Sequence, residues 1–163
     1  GTLILIDSGN VGSVRIDAPG YGNKTGASFA ITGSIDITGS LEDQNGYKIR
    51  GQGATLDLFK FMADNTNVEY SLSVNSETGY GYLSTSQETM ANNKSDVVNG
   101  CDTFYHNHSK NGATGYSEKD EKAINDAYSN FGYKNAVIYD EKEKELKTYW
   151  NNEKGFDKTY KAK

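Results

Sequence analysis

The chain has 163 residues, and its 17 Lys and Arg against 22 Asp and Glu leave a net charge of −5. That length supports one domain with a small appendage, and no window offers the ~20 consecutive apolar residues that a membrane-spanning helix needs. The acidic balance is a poor match to phosphate-backbone binding, the lone Cys101 excludes an internal disulfide and a multi-cysteine zinc site, and 12 Tyr, 6 Phe and 1 Trp supply packing surface that disordered chains lack.

In chain order, Leu3-Ile4-Leu5-Ile6 is too short for a signal-peptide core and has no basic flank, so it reads as a strand. The leading Gly1 suggests a piece of a longer protein, with any targeting signal lying outside it. Residues 1–53 read as a β-rich, Gly/Ser/Thr-rich extension, with alternating stretches at Ser13–Asp17 and Ser28–Thr32. The string Ile-Thr-Gly-Ser occurs at 31–34 and again at 37–40, as two small strand-and-turn units would.

Composition changes at Ala54, where a second unit spanning 54–163 begins. Leu56, Leu58, Phe59, Phe61 and Met62 predict one or two helical turns, broken by Asn65-Thr66-Asn67. Val68, Tyr70, Leu72 and Val74 alternate with Glu69, Ser71 and Ser73, the period of a strand. Asn75–Gly79 reads as a turn, Tyr80–Ser84 as the returning strand, and the polar residues 86–100 as a loop. Asp102–His106 predicts another strand, ending at the chain's only two histidines, His106 and His108.

After a Gly-containing loop, Ser109–Tyr116, a helix is expected over about 117–130, with Ala123, Ile124, Ala127, Tyr128 and Phe131 along one face and Gly132 as its stop. Ala136–Tyr139 and Leu146–Trp150 read as two strands joined by the charged turn Asp140–Lys144. The polar tail carries Phe156 and Tyr160 and suits an edge strand.

Residues i and i+2 of a strand point to one side, so the imidazoles of His106 and His108 can reach a single metal ion. An open catalytic zinc site takes three protein ligands and leaves one position free, which calls for a carboxylate as third ligand. Asp120 is suitably placed in the first turn of the following helix, with the Ser117 hydroxyl three residues earlier. The same Ser117-x-x-Asp120 also fits an ordinary helix start, with Ser117 as N-cap and Asp120 reaching back to its amide.

His106-x-His108 followed by Ser117-x-x-Asp120, and preceded by a strand glutamate, resembles the JAMM (MPN-plus, or JAB) metallopeptidase signature over roughly residues 54–150. Within that family the chain is most similar to the JAB-like toxin domains of bacterial polymorphic and Rhs-type toxins. The Gly-rich lead and the phrase Asp64-Asn65-Thr66-Asn67-Val68-Glu69-Tyr70-Ser71 carry that likeness. Two features depart from the pattern: eight residues separate His108 from Ser117 instead of seven, and Ser109 stands where a proline usually follows the second histidine.

The resemblance implies an α+β fold, a cytidine-deaminase-like mixed sheet flanked by helices, with the β-rich extension outside the minimal fold. It implies Zn2+ on His106, His108 and Asp120, Glu69 as general base, and Ser117 as oxyanion donor. Glu69 lies on the alternating strand, on the face opposite Val68, Tyr70 and Leu72; Glu77 and Glu88 are its rivals in turn-like and loop-like surroundings. The implied activity is hydrolysis of a peptide or isopeptide bond in a protein or peptide substrate. The implied setting is a toxin delivered as part of a larger bacterial protein, with a cognate immunity protein as partner and neither nucleic acid nor membrane.

The alternative is a metal-free MPN-type binding or scaffold module. The letters His-Asn-His match a nuclease motif in spelling only, because that motif spreads its residues over a strand pair and a helix. Cys101 has no activating base once both histidines are committed, and suits a small buried position.

Overall fold

The computed structural model describes residues 3–8, 11–16, 24–39, 47–85, 97–108 and 115–163, and among these the periodicities resolve into two sheets and two α-helices. Strands β1 (Leu3–Ser8), β2 (Val11–Ile16) and β3 (Ser28–Thr32) form a small antiparallel sheet in that order. The larger sheet takes β4 (Asp36–Gly39), β5 (Tyr47–Gly51), β6 (Ser71–Val74), β7 (Gly81–Thr85), β8 (Thr103–Asn107), β9 (Asn135–Asp140), β10 (Glu145–Asn151) and β11 (Gly155–Phe156). Its order is β11-β10-β9-β8-β6-β7-β5-β4. Every pairing is antiparallel except β8 with β9. A parallel pair needs a crossover, and helix α2 (Glu118–Phe131) supplies it. This is the mixed, helix-flanked α+β arrangement expected. Strands β4 and β5, from the N-terminal third, extend the large sheet through the β5–β7 pairing.

Helix α1 (Leu56–Asn65) is longer than the apolar spacing predicts. Thr55 Oγ1 accepts from the Leu58 amide at 3.2 Å, and Thr66 Oγ1 donates to the Met62 carbonyl at 2.7 Å, so both ends find side-chain partners. Asn65, expected to break the helix, instead donates to the Phe61 carbonyl at 2.8 Å and is its last residue.

Leu58, Phe59 and Met62 of α1 bury against Leu72, Leu83 and Tyr139 of the large sheet. Val14 and Ile31 of the small sheet join that cluster, and the Phe29 and Phe61 rings meet at 5.4 Å. On the opposite face α2 buries Ile124 and Ala127 with Phe104, Ala136, Ile138 and Trp150. Gly132, at φ 70°, ends α2 in the left-handed region and donates to the Tyr128 carbonyl at 2.9 Å. No described helix is long and apolar enough to cross a membrane.

Strand β6 differs from its alternating pattern. Only Ser71–Val74 enters the ladder, and Ser71, Leu72 and Ser73 are all buried. Alternation predicts one face in water, but each face here lies under protein, and serine is small enough to be covered once its hydroxyl is paired. Ser71 Oγ lies 3.1 Å from Ser84 Oγ, and Ser73 Oγ accepts from the Tyr133 hydroxyl at 2.8 Å.

Candidate metal centre

His106 is the penultimate residue of β8, on the face that packs beneath α2, and His108 follows one residue after the strand ends. The antiparallel register of β6 and β8 sets Ser71 opposite His106. Carried two residues further it sets Glu69 opposite His108, although Glu69, expected within the alternating strand, lies in the extended stretch just before β6.

The start of α2 is fixed from the other side. The Tyr116 amide donates to the Tyr160 carbonyl at 3.0 Å, and the Ala162 amide donates to the Tyr116 carbonyl at 2.8 Å. Gly115 permits this approach, since a Cβ there would collide with the Tyr160 carbonyl. Ser117 then caps α2: its hydroxyl accepts from the Asp120 amide at 3.3 Å, while Asp120 Oδ2 accepts from the Ser117 amide at 2.8 Å. Ser117 Oγ–H also donates to Asp120 Oδ2, at 3.1 Å. Both readings of Ser117-x-x-Asp120 therefore hold at once, because the capping box aims the Asp120 carboxylate at the histidines.

Asp120 Oδ2 lies 3.4 Å from His106 Nε2 and 3.6 Å from His108 Nε2. One ligand atom from each of the three residues falls within 4.8 Å of the others. The imidazole rings stand at 89° with centroids 5.0 Å apart, so each nitrogen approaches the shared oxygen from its own direction. Glu69 Oε1 lies 3.8 Å from His108 Nδ1.

His106 is only 2% exposed, and among the described residues neither buried Nε2 atom has a hydrogen-bond partner. A buried polar atom left in that state costs about 1–3 kcal/mol, and three convergent N, N and O donors around such atoms suit a divalent metal of the zinc type. Burial opposes a charge on His108, but the carboxylates of Asp120 and Glu69 outweigh it and hold the imidazole proton up to about 10. Burial likewise opposes ionised Asp120, and the facing His106 and His108 hold it well below the usual carboxylate range. Two carboxylates thus surround a place that favours positive charge.

The remaining candidates lie elsewhere. Glu77 is exposed in the turn beyond the far end of β6, where its amide donates to Asn75 Oδ1 at 3.0 Å. Cys101 is buried, and its thiol is pushed up to about 11 by that burial and by Asp102. Glu88, Ser109, and the greater part of the two polar loops (86–96 and 109–114) lie outside the described residues.

Two contributors escape sequence reasoning. The Tyr149 ring meets His106 edge-on at 5.6 Å and stacks on Tyr116 at 4.9 Å, forming the floor of the site. Asn107, between the histidines, is fully buried, and its amide bonds to the residues on both sides of Glu69. The only signal for Asn107 is a polar residue at a central strand position.

A family model described as JAB-like toxin 1 matches residues 47–137, more than half of the chain, a span that includes Glu69, His106, His108, Ser117 and Asp120. No curated protein and no solved structure matches.

Proposed function

Because the chain belongs to the JAB-like toxin 1 family, we propose that it is a zinc-dependent hydrolase of the JAMM type, cleaving a peptide or isopeptide bond. In this reading it is the toxin domain of a larger delivered bacterial protein, on a cytidine-deaminase-like core. The observation that carries the proposal is the convergence of the unpartnered His106 and His108 Nε2 atoms on Asp120 Oδ2, at 3.4 and 3.6 Å.

His106, His108 and Asp120 hold the metal in this reading. Zinc, when bound, supplies Lewis acidity, which acidifies water and polarises a carbonyl. Glu69 is the general base: its carboxylate takes a proton from the attacking water as the new C–O bond forms. It returns that proton to the amine as the C–N bond breaks. The Asp120 amide holds the Ser117 oxygen, so Ser117 need only turn its O–H from Asp120 toward the carbonyl oxygen to donate to the developing oxyanion. Loss of such a donor costs ~100- to 1000-fold in rate.

The metal-free module is favoured by one observation, the complete capping box, which satisfies Ser117 and Asp120 without any ion. Elemental analysis after zinc loading separates the readings. The hydrolase takes up about one zinc per chain, and His108→Ala takes up none; wild type without uptake leaves the binding module. Cytoplasmic expression in a target strain tests the toxin setting: wild type arrests growth, while Glu69→Gln, at equal protein level and with zinc retained, does not. A cognate immunity protein would protect by covering Glu69 and His108.

A further inference from the structure

The residue between the two histidines does more than separate them. Asn107 Oδ1 accepts from the Tyr70 amide at 2.8 Å, and Asn107 Nδ2 donates to the Val68 carbonyl at 3.0 Å. Val68 and Tyr70 are the immediate neighbours of Glu69, so one side-chain amide grips the backbone on both sides of it. The β6–β8 ladder stops at Ser71 and His106, and the Asn107 amide reaches the Tyr70 carbonyl at 3.3 Å. Beyond that bond the Asn107 side chain takes over the backbone's role and carries the pairing one residue further.

The amide is itself oriented. Nδ2 also donates to Glu141 Oε1, in the β9–β10 turn, at 2.6 Å. An ionised carboxylate only accepts, so it selects the NH2 end of Asn107 and leaves Oδ1 to face the Tyr70 N–H. From the other flank, Thr85 Oγ1 donates to the Glu69 carbonyl at 2.5 Å. Glu69 therefore lies outside any strand with its backbone bonded at 68, 69 and 70, and its carboxylate still comes within 3.8 Å of His108 Nδ1.

We propose that Asn107 is a positioning residue, an amide clamp that fixes the Glu69 carboxylate beside the histidine pair, with Glu141 setting the orientation of the clamp. The catalytic part of this inference rests on Glu69 being the general base. Asn107→Ala removes the grip and leaves all three candidate ligands in place. A general base displaced by about an ångström loses on the order of 100-fold in rate.

Amide hydrogen exchange, zinc content and growth arrest test the clamp together. In wild type the Tyr70 amide, outside β6, exchanges as slowly as the ladder amides of Leu72 and Ser73. In Asn107→Ala it exchanges ~10- to 100-fold faster, zinc uptake stays at one equivalent, and the protein dose that arrests growth rises ~100-fold. In a Glu69→Asp background the shorter side chain already withdraws the carboxylate but leaves a residual dose response. There Asn107→Ala costs less than it does in wild type, because the clamp acts through Glu69. Fast Tyr70 exchange in wild type, which needs no variant to fold, overturns the proposal. So does unchanged exchange or unchanged potency in Asn107→Ala, or an equal further loss in the Glu69→Asp background. Failure of the hydrolase reading looks different: wild type takes up no zinc, while Tyr70 exchange still decides whether the clamp exists.

Discussion

On the face of the large sheet covered by α1, polar groups that enter the core arrive with partners. The Tyr70 hydroxyl lies 2.8 Å from Thr66 Oγ1, and the Tyr139 hydroxyl donates to Asp64 at 2.9 Å. On the face covered by α2, the buried His106 nitrogens, His108 Nε2 and the Tyr116 and Tyr149 hydroxyls have no hydrogen-bond partner among the described residues. Both faces are closed by aromatic and aliphatic side chains of similar kind. The difference is that the first stabilises the fold without help, while the second carries a desolvation cost that a bound ion would offset. The unpartnered atoms cluster where β8 ends and α2 begins, around the one place where two histidines meet a carboxylate.

The largest expected effect tests the α1 face as pure support. Phe59 is fully buried, with its ring 6.1 Å from Tyr139 and 6.4 Å from Tyr105. Phe59→Ala should cost ~3–5 kcal/mol in urea denaturation. The fraction that remains folded should bind zinc with unchanged stoichiometry. A variant that loses zinc while still folded would mean the two faces are not independent.

A smaller effect separates the two jobs held by the start of α2. Ser117→Ala removes the N-cap and should cost ~1 kcal/mol of stability with zinc uptake retained. Asp120→Ala removes both the reciprocal cap bond and the third ligand, so it should also lose zinc. Without zinc the two variants should be destabilised comparably; with saturating zinc only Ser117→Ala should regain a higher melting temperature. Equal zinc binding by both would remove Asp120 from the centre.

What the sequence made legible follows the same division. Helix α2 is readable because its punctuation is local: Ser117 and Asp120 bond each other, and Gly132 takes the backbone angle that stops the helix. The histidine pair and its carboxylate are readable because strand spacing and a helix first turn fix where three side chains point. Glu69 is readable only as one of three glutamates, since its approach to His108 depends on the register between two distant segments. Asn107 is not readable, because its bond to Tyr70 spans 37 residues. The burial of Ser71 and Ser73 is equally hidden, for alternation reports polarity and says nothing of what lies over the polar side.

The smallest expected effect lies on the α2 face but away from the histidines. Cys101 joins the cluster with Phe104, Tyr133 and Ala136. Burial first, and then the Asp102 carboxylate, disfavour its thiolate and push the thiol up to about 11, whereas an exposed cysteine loses its proton near ~8.5. Between those values the folded chain holds a proton that the unfolded chain has released. The stabilisation is therefore complete below ~8.5 and is lost as pH rises toward 11. Tyr133, also held up by burial, to about 12, adds a loss of its own above ~10, where an exposed tyrosine ionises, and does so in wild type and Cys101→Ala alike. Urea midpoints measured from pH 8 to 11 should fall more steeply for wild type than for Cys101→Ala. A thiol reagent at pH 8 should label the folded protein far more slowly than the denatured chain. Rapid labelling of the native protein would show that this part of the α2 face opens to water, and would weaken the case that the same packing desolvates His106.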